Sequence, residues 1–272
     1  MIPLEIIIFL VIGVVIATEG ALLGVGGGFM LVPIFIFMGF NSMYGDNLLA
    51  PVLSSFVIIF ISLSASSKYG SKKLINYRLG LSYAPFAIAG AFIGTNLLKS
   101  LADLRETGHL IFQSIFTIII VVIGIQIIFR KYNESHFAKN DHGTNKKIRS
   151  YYWAIPFGCL TGLAAGLTGI GGGIIDVPVI HLFFLETMHV TIATSLFIVI
   201  FTASFSTLSN YFIYAGVLDT YFFMAGLIIA AGAIIGSQIG SHIQTRLKGK
   251  TLRIIFGFFE VGVALPLLWL GS

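Results

Sequence analysis

The chain has 272 residues, 57% of them hydrophobic and only 10% charged, whereas a soluble domain carries about 25% charged residues. With a mean hydropathy of +0.97, this composition excludes a soluble globular domain and points to an all-α polytopic membrane protein. The formal charge of +5 is no nucleic-acid signal, because the basic residues cluster in loops between apolar segments. The one cysteine, Cys159, excludes an internal disulfide and a cysteine-based metal cluster. In its apolar surroundings it reads as a small buried hydrophobe.

In chain order, an apolar helix is expected over about residues 4–22 (a), with no basic stretch before it to mark a cleavable signal peptide. It ends at Gly24-Val25-Gly26-Gly27-Gly28, too many glycines for a helix to tolerate cheaply. A short apolar piece, about 29–40 (b), follows. Helix c is expected over about 47–66, d over 79–98 and e over 108–129, and 130–150 is a polar linker. The pattern then returns as a′ at 151–168, b′ at 174–185, c′ at 190–214, d′ at 220–243 and e′ at 252–270. Pieces b and b′ are too short for a span, which takes about 20 residues. Each is read as the second half of a helix broken at membrane depth, a re-entrant pair accompanied by three spanning helices. Such breaks survive where the freed backbone lines a cavity.

The second glycine run, Gly169-Ile170-Gly171-Gly172-Gly173, stands 145 positions after the first. Gly90-Ala91-Phe92-Ile93-Gly94 in d is mirrored by Gly232-Ala233-Ile234-Ile235-Gly236 in d′. These small residues at every fourth position are expected to be packing faces. An odd number of elements per half inverts the second copy relative to the first. The loops that inversion puts on one side carry Lys68, Lys72, Lys73, Arg78, Arg130, Lys131, Lys139, Lys146, Lys147, Arg149, Arg246, Lys248, Lys250 and Arg253, against Lys99 and Arg105 on the other. By the positive-inside rule the basic side is cytoplasmic and both termini lie outside a multi-pass cell membrane protein. The expected organisation is a first repeat at 1–129, a cytoplasmic linker at 130–150 and an inverted second repeat at 151–272. Paired breaks in matching halves are the pointer to a transporter's substrate site.

The two Gly-x-Gly-Gly-Gly motifs, each with proline five residues on (Gly28 to Pro33, Gly173 to Pro178), and Ala193-Thr194-Ser195-Leu196 resemble the TauE/SafE family of sulfite exporters, also called TSUP. The resemblance covers essentially the whole chain. It implies a carrier of sulfur-containing anions such as sulfite and sulfonates. The first half departs from the pattern at Ala50-Pro51-Val52-Leu53-Ser54-Ser55, where Thr-Ser-Leu is expected.

The candidate substrate-binding residues are Gly26, Gly27, Gly28, Gly171, Gly172 and Gly173, whose backbone amides lie open to an oxyanion at the positive ends of b and b′. A packing role for the same glycines is the competing view. Ser54, Ser55, Thr194 and Ser195, early in c and c′, are candidate hydroxyl donors, unless they bond their own i−4 carbonyls. Glu19, Asp176 and His181 are candidates for proton coupling, since ionisable groups inside spans are functional by default. Glu260 in e′ could equally point into the bundle or bond a neighbouring helix, and Glu186 and His189 are expected in the b′–c′ turn near water without a role. No cofactor, metal or nucleotide motif is present. The expected function is secondary transport of a small anion across the lipid bilayer, with H+ as a candidate partner. An anion channel filtered by the glycine loops is the alternative; an intramembrane enzyme would have only Asp176 with His181 to work with.

Overall fold

The computed structural model describes residues 3–37, 49–102, 151–168, 171–214 and 220–270. Helix e at 108–129, the linker 130–150, the b–c connection and Gly169 lie outside the described residues, as does the Glu260 side chain. The described residues form nine α-helices and no strand. In chain order they are α1 (Pro3–Leu23), α2 (Gly28–Phe37), α3 (Leu49–Ser71), α4 (Tyr77–Ala102), α5 (Ala154–Thr168), α6 (Gly173–Leu182), α7 (Met188–Tyr214), α8 (Thr220–Arg246) and α9 (Gly249–Leu270). Of these, α1, α3, α7 and α8 are long and apolar enough to cross a membrane. Helices α2 and α6 have 10 residues each, about 15 Å at the helical rise, half of a bilayer core.

Backbone geometry makes the two breaks. Gly24, Gly26 and Gly27 hold φ of 83°, 78° and 77°, and Gly171 and Gly172 hold 89° and 80°. Any other L-residue would strain there by about 1–2 kcal/mol. The helix cannot continue through such a turn, so α1 stops at Leu23 and α2 starts afresh at Gly28.

Small residues set the closest helix contacts. Helix α1 packs along α8, and α4 along α5. A Cβ at Gly232, Gly236 or Gly240 would strike the carbonyl of Leu10, Val14 or Thr18 in turn. On the other pair, Gly90 and Gly94 press on Cys159 and Leu163, and Gly162 and Gly166 on Ala87 and Ala91. The glycine faces are therefore packing faces. Val14 and Cys159 are 145 apart, and they receive Gly236 and Gly90 respectively.

The order of these contacts also gives direction. Residue numbers rise together along α1 and α8, and along α4 and α5, so each pair runs parallel. Helix α3 runs with α8, because Leu53 and Phe56 meet Gly226, Ser64 bonds Gln238 and Lys72 bonds Thr245. Helix α4 runs with α7, from Gly80 on Phe197 to Phe92 on Phe205. Helices α3 and α7 oppose each other: Val52 and Leu53 cluster with Val199 and Ala203, and Ala65 and Tyr69 with Ile192 and Ala193. So α1, α3 and α8 point one way, and α4, α5 and α7 the other. Lys68, Lys72, Lys73, Arg78, Arg246 and Lys248 gather where α3 and α8 end and α4 begins.

Candidate functional site

The two glycine turns meet between the halves. In the first, the Gly20 carbonyl accepts the N–H groups of Gly24, Val25 and Gly26 at 3.0, 3.1 and 3.3 Å. Met30 and Leu31 then donate to Gly27 O at 3.2 and 3.1 Å. The amides of Gly27, Gly28 and Phe29 fall between these sets, and no backbone acceptor takes them among the described residues. In the second turn Ile175 and Asp176 donate to Gly172 O at 3.0 Å, and no backbone acceptor among the described residues takes the amides of Gly172, Gly173 and Ile174. A helix start always leaves its first amides without intrahelical partners, and here no side chain caps α6. The turns touch, since a Cβ on Gly173 would come within 2.7 Å of Gly24 O and Val25 Cα. Ile58 of α3 and Val199 of α7 lie against both Gly26 and Gly171. Of the glycines named from sequence, Gly26 has its amide turned back onto α1. Gly27, Gly28, Gly172 and Gly173 have amides that no described acceptor takes.

The four hydroxyls named from sequence hold the scaffold. Ser195 donates to Gly24 O at 2.8 Å and Ser54 to Gly28 O at 3.4 Å, each fixing a carbonyl of the first turn. Ser55 donates to its own i−4 carbonyl, Pro51 O, at 2.8 Å. Thr194 accepts the Asn76 N–H at 3.0 Å, tying α7 to the start of α4. The hydroxyls that lack partners are others. Ser62 and Ser66 on α3, and Ser206 and Thr207 on α7, have buried oxygens with none. Each such group costs about 1–3 kcal/mol when nothing answers it. Sequence reasoning passed over them because they differ from Ser54 or Ser195 only in what stands opposite.

Asp176 lies in the first turn of α6 and is fully buried. The hydroxyls of Tyr83 and Thr161 are turned toward its carboxyl group, but neither carboxyl oxygen closes a hydrogen bond. Thr161 donates instead to Gly158 O at 3.2 Å, with the Tyr83 hydroxyl at 3.2 Å from its oxygen. Asp176 Oδ2 faces the second glycine turn, 3.7 Å from where a Gly172 Cβ would stand. A buried carboxyl whose oxygens close no hydrogen bond is expensive to place. Tyr83 and Thr161 sit on α4 and α5, and nothing in their local sequence announces them. Glu19 stands half-buried one residue before Gly20, with no bond joining it to Asp176.

His181 is buried at the far end of α6, its Nδ1–H donating to Glu186 O at 2.9 Å. Glu186, given no role from sequence, anchors a belt of bonds. Its carboxylate accepts from Asn76 Nδ2 at 2.9 Å, and its carbonyl also accepts from Thr191 Oγ1 at 3.3 Å. His189 Nε2–H reaches Leu247 O at 3.0 Å. The belt joins the α6–α7, α3–α4 and α8–α9 connections at the basic end. No group of three His, Cys, Asp or Glu among the described residues stands ready for a metal.

The family model described as Sulfite exporter TauE/SafE matches residues 9–267. The chain belongs to this family. It is 27% identical over 277 residues to "Probable membrane transporter protein YunE" of Bacillus subtilis, covering 97% of this chain and 98% of that one. It is 24% identical over 256 residues to "Probable membrane transporter protein MJ0441" of Methanocaldococcus jannaschii, covering 91% and 90%. "Probable membrane transporter protein YjnA" of Bacillus subtilis is also 24% identical over 256 residues, covering 90% and 93%. No solved structure matches the chain. Membership and the four apolar helices of spanning length make it a membrane protein of a transporter family, not an enzyme.

Proposed function

We propose that the protein is a secondary carrier for a small sulfur-containing anion, of the sulfite or sulfonate class, working by alternating access. The observation that carries this is the meeting of the two glycine turns. The amides of Gly27, Gly28, Phe29, Gly172, Gly173 and Ile174, which no acceptor among the described residues takes, sit at the starts of two short helices whose turns touch. Helix starts carry partial positive charge, and bare amides suit a pyramidal or tetrahedral oxyanion.

The opposed directions of α1 against α5, α3 against α7 and α4 against α8 support two repeats of inverted topology, with α2 and α6 as re-entrant halves. Rocking one repeat against the other then exposes the shared site to each side in turn. The basic end is cytoplasmic by the positive-inside rule, and the start of α1 and the end of α9 face outside in the cell membrane. Asp176, buried behind Gly172, takes up and releases the coupling proton; Glu19 and His181 are the other candidates. Sulfite fits this class in charge and shape.

The test is counterflow. Proteoliposomes preloaded with sulfite should accumulate external radiolabelled sulfite transiently and saturably. Ionic current without counterflow would contradict a carrier and favour a channel.

A further inference from the structure

Inside a helix a serine or threonine ordinarily returns its hydrogen bond to the i−4 carbonyl, as Thr18, Ser55 and Thr95 do here. Ser62, Ser66, Ser206 and Thr207 do not; their oxygens are sealed from solvent and meet no acceptor. Their placement is ordered. Ile58 and Val199 mark the crossing of α3 and α7 beside the glycine turns. Ser66 and Thr207 each stand eight positions beyond that mark (66 minus 58, 207 minus 199). Ser62 Oγ lies 3.8 Å from where a Gly26 Cβ would be, so that row begins at the turn itself. Because α3 and α7 oppose each other, the rows leave the crossing in opposite directions. Ser62 and Ser66 lead toward Lys68 and Lys72, and Ser206 and Thr207 toward the far end of α7, with buried Asn210 one turn beyond Ser206.

We propose that these rows are the two half-routes of the substrate: Ser62 and Ser66 line the way from the glycine turns to the basic end, and Ser206 and Thr207 the way to the opposite end. This rests on the carrier function proposed above. Unpartnered donors gain from a guest that brings its own acceptors, which a small oxyanion does and an apolar solute does not. Neutral hydroxyls also suit transit, since a fixed lysine would hold the anion and slow its exit. Both rows are closed in this conformation, with Ser62 at 0%, Ser66 at 7% and Ser206 at 2% exposure. Each opening of the carrier uncovers one row and keeps the other shut.

Sided labelling tests this. In a Cys159→Ala background, Ser66→Cys and Ser206→Cys are introduced singly and treated with a membrane-impermeant maleimide in right-side-out and inverted vesicles. Ser66→Cys should react only from the basic side and Ser206→Cys only from the other. Reaction of both from one side, or of neither during turnover, would overturn the half-routes. Ser66→Ala and Ser206→Ala give a second measure: sulfite counterflow should slow by about tenfold, the worth of one hydrogen bond, at a thermal stability equal to or above that of the parent. Unchanged counterflow would return the hydroxyls to packing. Counterflow in the Cys159→Ala parent is measured alongside; its absence would overturn the carrier function whatever the labelling pattern.

Discussion

Gly26 and Gly171 look at the same two side chains. A Cβ on Gly26 would lie 3.1 Å from Ile58 Cγ2 and 3.3 Å from Val199 Cγ1; one on Gly171 would lie 3.2 Å from Val199 Cγ1 and 3.3 Å from Ile58 Cγ2. Each turn therefore packs against one residue of its own half and one of the other. Under the proposed carrier function, a ligand held between the turns would touch both halves, and sliding one half past the other would rebuild its surroundings.

The left-handed glycines should resist even a methyl group. Gly172→Ala places a Cβ 3.1 Å from Thr161 O at φ 80°, and the strain is worth about 1–2 kcal/mol. Thermal unfolding in detergent should show a lowered Tm for Gly172→Ala and Gly27→Ala. Gly262→Ala serves as the control, since nothing lies within 4 Å of its Cβ; it should be neutral or stabilising.

Asp176→Asn keeps the shape of the buried side chain and removes its proton chemistry. Uptake driven by a pH gradient should be abolished while sulfite still binds and exchanges. Driven uptake at the wild-type rate would remove Asp176 from the coupling scheme.

The glycine faces should behave as close-packing seams. Gly236→Leu drives a side chain into the Val14 carbonyl, and overpacking of this kind costs about 3 kcal/mol. The variant should lose yield and Tm together, and Gly90→Leu at Cys159 should match it. Two normal Tm values would mean that α1 and α8, and α4 and α5, separate easily.

Much of the helix plan was legible because glycine and proline punctuate it. Helix α6 is expected over 174–185 and spans Gly173–Leu182, a difference of a few residues at its C-terminal end. Which carbonyl each glycine face meets was not legible. Helix α8 carries Gly232, Gly236 and Gly240, so the spacing looks alike after a shift of one turn. Which hydroxyls are spent was not legible either. Ser195 is fixed by Gly24 O, 171 residues away in sequence, and Asp176 faces Tyr83 and Thr161 from two other helices. Spacing along one helix carries no record of such partners.

The belt at the basic end should be a stability device. Asn76→Ala removes the donor to Glu186 and the acceptor for the Leu79 N–H. The loss should be about 1–3 kcal/mol, read as a lower Tm, with faster hydrogen exchange in the α6–α7 connection. Unchanged exchange there would show that the connection is held elsewhere.

The central claim is that two glycine turns far apart in sequence form one anion site. Calorimetric titration of the purified protein with sulfite tests it most directly. The account predicts a single sulfite per chain, with affinity reduced both by Gly28→Val in the first turn and by Gly173→Val in the second. Two independent sulfites per chain, each lost with only one of the substitutions, would contradict it.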